Sequence, residues 1–169
     1  MKGLITLAFL FLTSLSSFSQ AKIELQLAGA NFLGLTINSA YDISVSKNKK
    51  HYLSPSFGIG LLEPSWDGPT SIINLGLDYR YKNYGIGCEI SNFFDSPFGK
   101  DNTHYGFVDL IVYPNISYTL STKINLYFNI SAGTYFAFSD RIDRDTGLTY
   151  IEFEGDVVAG GGLTAGYKF

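Results

Sequence analysis

Ile124-Asn125-Leu126-Tyr127-Phe128-Asn129-Ile130-Ser131-Ala132-Gly133-Thr134-Tyr135-Phe136-Ala137-Phe138-Ser139 alternates along its length. Even positions carry Ile, Leu, Phe, Ile, Ala, Thr, Phe and Phe. Odd positions carry Asn, Tyr, Asn, Ser, Gly, Tyr, Ala and Ser. Successive side chains of a strand point to opposite faces, so this pattern predicts a strand with one greasy face and one small, polar or tyrosyl face. The last run repeats it: Val157, Ala159, Leu163, Ala165, Tyr167 and Phe169 stand opposite Gly160, Gly162, Thr164, Gly166 and Lys168.

Reading outward from these two runs gives eight, at 22–31, 34–46, 51–62, 71–82, 84–94, 107–121, 124–139 and 148–169. Three connections are tight and basic: Lys47-Asn48-Lys49-Lys50, Lys82-Asn83 and Ser121-Thr122-Lys123. Those at 63–70, 95–106 and 140–147 are longer and acidic, and only the link near Phe32 breaks the rule by being short. An even number of antiparallel strands with short turns at one end and long loops at the other is the plan of a transmembrane β-barrel. The expected fold class is therefore all-β, an eight-stranded antiparallel up-and-down transmembrane β-barrel. Pro55 and Pro114 fall inside runs, and each is expected to mark a bulge or a strand end.

Composition agrees with this reading and excludes other classes. The 169 residues are 46% hydrophobic and 16% aromatic but only 16% charged, which is no recipe for disorder. A net charge of −3 and a pI near 5.2 argue against nucleic acid as a partner. One cysteine permits neither an intrachain disulfide framework nor a Cys-based zinc site. Residues 1–19 read as a signal peptide: Lys2, the apolar Leu4–Leu12 run, then Ser17-Phe18-Ser19 before a cut at Gln20. Such a run is too short to cross a bilayer as a helix. Residues 20–169 form the expected barrel domain.

The identity of the non-apolar face decides which parity points outward. Gly, Ser, Asn, Thr and Tyr with few charges make a poor solvated surface but good filling for a narrow interior. The expected lumen therefore holds Glu24, Asp42, Asp78, Arg80, Glu89 and Asp109. Arg80 is its interior cation, with Lys82 and Lys168 at the mouth, and the excess of carboxylates calls for trapped water or raised pKa values. Tyr79, Tyr81, Tyr84, Tyr118, Tyr167 and Phe169 gather on the greasy parity near the short-turn end, as in an interfacial aromatic girdle.

The alternating terminal strand, with Leu163, Ala165, Tyr167 and Phe169, resembles the assembly signal of bacterial outer-membrane proteins. Together with the export segment, the eight strands and the short basic turns, it resembles the small outer-membrane barrels of the OmpA/OmpX type. The Ser-Phe-Ser-Gln cleavage region and Gly-rich last strand are similar to those of the Bacteroidetes group. The resemblance is architectural and covers residues 20–169. It implies residence in the bacterial outer membrane, contact with outer-membrane lipids, and dependence on the barrel-assembly machinery during insertion.

Candidate chemistry is sparse. Some small barrels act on lipid A through neighbouring His and Ser, but neither His51 nor His104 has a nucleophile and an orienting group near it in sequence. Asp140, Asp143, Asp145, Glu152, Glu154 and Asp156 form an acidic surface segment. A calcium-loop reading fails at Leu148, where the loop needs glycine. Cys88 falls on the greasy parity as a small hydrophobe, Trp66 reads as an interfacial anchor, and Asn115 and Asn129 read as lumen filler. No cofactor is expected and no enzyme. The expected function is a structural or surface-interaction barrel with a packed lumen and acidic outer loops, meeting a surface ligand or a partner barrel. Its alternatives are a narrow channel, an accessory subunit of an envelope complex, and a lipid A-modifying enzyme.

Charge divides along the same axis. The long-loop end carries ten carboxylates against Lys100, Arg141 and Arg144, whereas the short-turn end carries Lys22, Lys47, Lys49, Lys50, Lys82, Lys123 and Lys168.

Overall fold

The computed structural model describes residues 19–62, 70–94, 110–142 and 149–169. Eight strands follow one another: β1 (Ser19–Ala28), β2 (Leu35–Ser44), β3 (His51–Leu62), β4 (Thr70–Tyr81), β5 (Tyr84–Phe94), β6 (Leu110–Ser121), β7 (Leu126–Ile142) and β8 (Thr149–Lys168). Each pairs antiparallel with the next, and β1 pairs with β8, so the sheet is a closed up-and-down barrel. Most of the signal segment (1–18), Trp66, His104, Asp109, Asp143 and Asp145 lie outside the described residues.

The alternation read from the sequence sorts inside from outside. Ile37, Ile59, Leu75, Ile86, Ile116, Phe128, Ile130 and Leu163 point outward and are exposed. Thr36, Asn38, Ser54, Asn74, Ser91, Asn115, Ser117 and Ser131 point inward and are buried. A water-soluble barrel would have the reverse, because apolar surface gains by leaving water and uncompensated polar burial costs free energy.

The two prolines correct one expectation. Pro55 pairs with Leu77 in an unbroken β3–β4 ladder, and Pro114 pairs with Cys88 in an unbroken β5–β6 ladder. On the opposite side the ladder is interrupted, between Ala40/Ser56 and Ile43/Leu53 for Pro55 and between Val112/Phe136 and Asn115/Gly133 for Pro114. The register is the same on both sides of each gap. A missing N–H removes a bond toward one neighbour only, and the flanking pairs hold the alignment, so neither proline makes a bulge or ends a strand.

The register shift lies elsewhere, between Phe136 and Phe138 on β7. There β8 inserts extra residues around Gly155, whose φ of 79° suits glycine. β7 extends to Ile142, so Asp140 belongs to a strand rather than to the connection expected at 140–147. Among the described residues, β8 pairs with β1 only over Gly162–Lys168 and continues from Thr149 with β7 as its partner.

The short link near Phe32 is the anomaly of the connection pattern, and the structure explains it. Ala28, Gly29 and Phe32 take positive φ of 61°, 67° and 58°, which turns the chain off the barrel wall. The 3-10 turn Gly29–Asn31 then folds inward, with all three residues buried. It packs inside the barrel toward the end opposite the short turns.

Candidate functional site in the barrel interior

Inward positions of several strands meet in two polar layers. The layer nearer the short turns centres on Asp42 of β2. Its Oδ1 accepts from Lys22 Nζ of β1 at 2.8 Å, from Ser54 Oγ of β3 at 2.5 Å and from Arg80 Nη2 of β4. Arg80 Nη2 also donates to Ser54 Oγ at 3.0 Å. Lys22 Nζ lies 3.2 Å from Glu24 Oε1, which accepts in turn from the Tyr127 hydroxyl of β7. Lys168 of β8 reaches Asp42 Oδ2 at 3.9 Å.

Lys22 and Lys168 stand directly opposite each other in the β1–β8 ladder. Two facing ammonium groups repel. Here Asp42 lies against both, and both rest over the Tyr127 ring, 5.5 and 5.1 Å from its centroid. The carboxylate and the ring convert a repulsive pair into a bridge.

The second layer is built from amides and hydroxyls. Asn38 Nδ2 donates to Gln26 Oε1 and Gln26 Nε2 to Glu89 Oε2, both at 2.6 Å. Asn31 of the inward turn donates to Thr36 Oγ1 at 2.8 Å and accepts from Asn74 Nδ2 and Ser91 Oγ, each at 2.9 Å. Glu89 also takes the backbone N–H of Ala30. The turn is thus held as a plug by side chains from β2, β4 and β5. Tyr113 and Tyr135 stack at 5.1 Å beside it, and the Tyr113 hydroxyl donates to the Gly160 carbonyl at 3.3 Å.

The plug fits because β8 has no side chain at Gly162. A Cβ there would stand 2.9 Å from Gly29 Cα, 3.0 Å from Gly29 N and 2.8 Å from Ser131 Oγ. Gly162→Val is expected to lever the turn away from the wall at the cost of about 1–3 kcal/mol typical of overpacking. Hydrogen exchange checks this. The Phe32 and Gly34 amides, which donate to Gly29 O at 3.0 Å and Asn31 O at 2.8 Å, should lose protection while central β4 amides keep theirs.

Of the expected lumen cluster, Glu24, Asp42, Asp78, Arg80 and Glu89 all face the interior, in two groups rather than one. Arg80 is buried and paired with Asp42, and the reading of it as the interior cation lacks a second one. Lys22, expected only as a charge of the short-turn end, is 3% exposed and bonded inside. It shares the even parity of Glu24, and that parity was the signal available for it. The plug residue Asn31 was missed as well.

Leu163, Ala165, Tyr167 and Phe169 face outward and are exposed. So are Tyr79, Tyr81, Tyr84 and Tyr118. His51 joins this ring of aromatics, with Nδ1 2.6 Å from the Tyr79 hydroxyl and its ring 4.8 Å from that of Tyr81. Glu152 is exposed on β8. Asp140, Glu154 and Asp156 sit on β7 and β8, where only the backbone is described. Among the described residues no group of His, Cys, Asp and Glu could hold a metal ion.

At the short-turn mouth the interior opens into a recess lined by Asp42, Arg80, Lys82, Asn83, Ser121 and Lys168, among others. Asp42 forms part of its lining, so the recess is continuous with the charged layer. No family model matches the chain, and no curated protein or solved structure matches it.

Proposed function

We propose that this chain is an exported outer-membrane protein whose barrel is an anchor and whose long-loop end is its contact surface. One observation carries the reading: a polar interior wrapped in an exposed apolar wall that runs around the barrel. Contiguous exposed apolar surface of this extent needs a non-aqueous partner. β1 to β6 are 10 to 12 residues long. At about 3.3 Å per residue and a tilt of about 40°, eleven residues rise about 28 Å, close to the apolar band of an outer-membrane barrel. The aromatic ring at the short-turn end supports an interface at that level.

In this reading the lipids of the outer membrane contact the wall, and the barrel-assembly machinery acts on the terminal strand. The acidic far end meets a surface ligand or a partner barrel. The inward plug and bonded interior weigh against the channel alternative. No catalytic role is assigned, because the His51 ring is engaged by Tyr79 and Tyr81 on the outer wall.

Protease treatment of intact cells tests the topology. Cleavage at Arg144 is expected, Arg141 being paired with Tyr150 in the β7–β8 ladder, with the Lys47–Lys50 turn protected until the outer membrane is breached. The reverse pattern would invert the orientation and end the proposal.

A further inference from the structure

We propose that the recess at the short-turn mouth is a binding site for a small phosphate-type oxyanion. Two observations carry this, an unpartnered donor and an excess of positive charge. Arg80 lines the recess and is 7% exposed, yet its Nε is buried without a hydrogen-bond partner. Ser117 Oγ, just behind the lining, is another buried polar atom with none, as is the acceptor Asp78 Oδ1. Ser117 lies one inward position deeper on β6 than Thr119, which also lines the recess, and a Cβ at Gly85 would touch both Ser117 Oγ and the Arg80 side chain. Unsatisfied buried donors are rare and expensive, and an anion is the partner that suits a guanidinium.

Charge points the same way. The groups that meet at this end of the interior are Lys22, Arg80, Lys82 and Lys168 against Asp42, Glu24 and Asp78. Lys22 is consumed by Asp42 and Glu24 inside the wall. At the mouth Arg80, Lys82 and Lys168 face Asp42 alone among the lining residues. Lys168 meets that carboxylate only at 3.9 Å, so its ammonium has bonding capacity left. Lys82 stands at the rim over the Tyr81 ring, 5.2 Å from its centroid, and Asn83 and Ser121 add neutral polar groups. Lys47, Lys49, Lys50 and Lys123 in the surrounding turns raise the local concentration of anions.

The ligand chemistry is a phosphate dianion or phosphomonoester, presented free in solution or on a lipid headgroup. The test uses the full barrel folded in a zwitterionic detergent free of phosphate, titrated with inorganic phosphate at constant ionic strength and followed by ³¹P NMR. Saturable binding is expected. Lys168→Met should weaken it about tenfold or more, as loss of a charge-assisted hydrogen bond does. Lys123→Met, outside the recess, removes only a screened surface charge and should weaken it less than about twofold.

Short-chain phosphatidic acid separates the two sources. Competition with the same Lys168 dependence supports the site and a lipid origin. Absence of competition, with phosphate bound, supports the site for free phosphate. No saturation, or equal weakening by Lys123→Met, overturns the proposal. Arg80 is left intact throughout because its removal disturbs the interior.

Discussion

Replacing Asp42 by leucine is expected to destabilise the folded barrel more than any other single substitution in the interior, by about 3–5 kcal/mol, the usual cost of stranding a buried charge. The carboxylate accepts from Lys22, Ser54 and Arg80 and stands near Lys168. Its loss leaves Arg80 without a counter-charge among its described contacts and leaves Lys22 with Glu24 only. Arg80→Met should cost less, because Asp42 then keeps Lys22. In the double variant Asp42→Leu/Arg80→Met the two losses should fall short of additive, since they share one bond. Equilibrium urea unfolding in lipid vesicles measures all three, with Lys123→Met as the surface reference. If Asp42→Leu and Lys123→Met unfold alike, the charged layer is not a structural element.

Deleting Phe169 should act on assembly and barely on the finished barrel. Its backbone N–H donates to the Ala21 carbonyl at 3.0 Å, and its exposed ring meets Tyr167 edge-on at 5.2 Å. Losing one hydrogen bond and one ring contact amounts to about 1–2 kcal/mol in purified, refolded protein. In cells the folded, heat-modifiable fraction in the outer membrane is expected to fall severalfold. Such a split between small thermodynamic and large cellular effects separates a recognition element from a structural one. Equal losses in both assays would count against an assembly signal, and wild-type levels in cells would remove it.

Much of the barrel was legible because its code is binary. A period of two, sustained through β7 and β8, assigns each side chain to a face, and the scarcity of charge on the polar parity says which face is enclosed. Asp42, Asp78, Arg80, Glu24 and Glu89 could be placed inside on that basis alone. Their partners could not, because partnership depends on register between strands and on the depth of each residue. Lys22 shows the gap: its parity was inward, but its position near a strand end suggested solvent. In the register Lys22 lies level with Lys168, near Asp42, and is buried. The plug escaped for another reason. Three residues carry no periodicity, and only the unexpected shortness of the link marked them. The prolines misled because a missing donor was read as a broken strand, whereas a strand has two sides and loses a bond on one.

The charged layer also bears on the order in which the barrel can be built. β1 brings Lys22 and Glu24, β2 Asp42, β4 Arg80, β7 Tyr127 and β8 Lys168. Seven of the eight ladders join neighbours along the chain. The β1–β8 ladder joins opposite ends of the domain and carries the largest loop-closure cost. Tyr127 and Lys168 can reach Glu24 and Asp42 only when that ladder forms, so these two contacts work as a latch thrown at the final step, onto the Lys22–Asp42–Arg80 bonds that β1 to β4 make among themselves. Until then the Lys168 ammonium and the Tyr127 hydroxyl stay hydrated, and their desolvation comes at the moment the ring closes. An open sheet can therefore form and dissolve strand by strand, while the closed barrel, once latched, must break the seam and its ion bridge together.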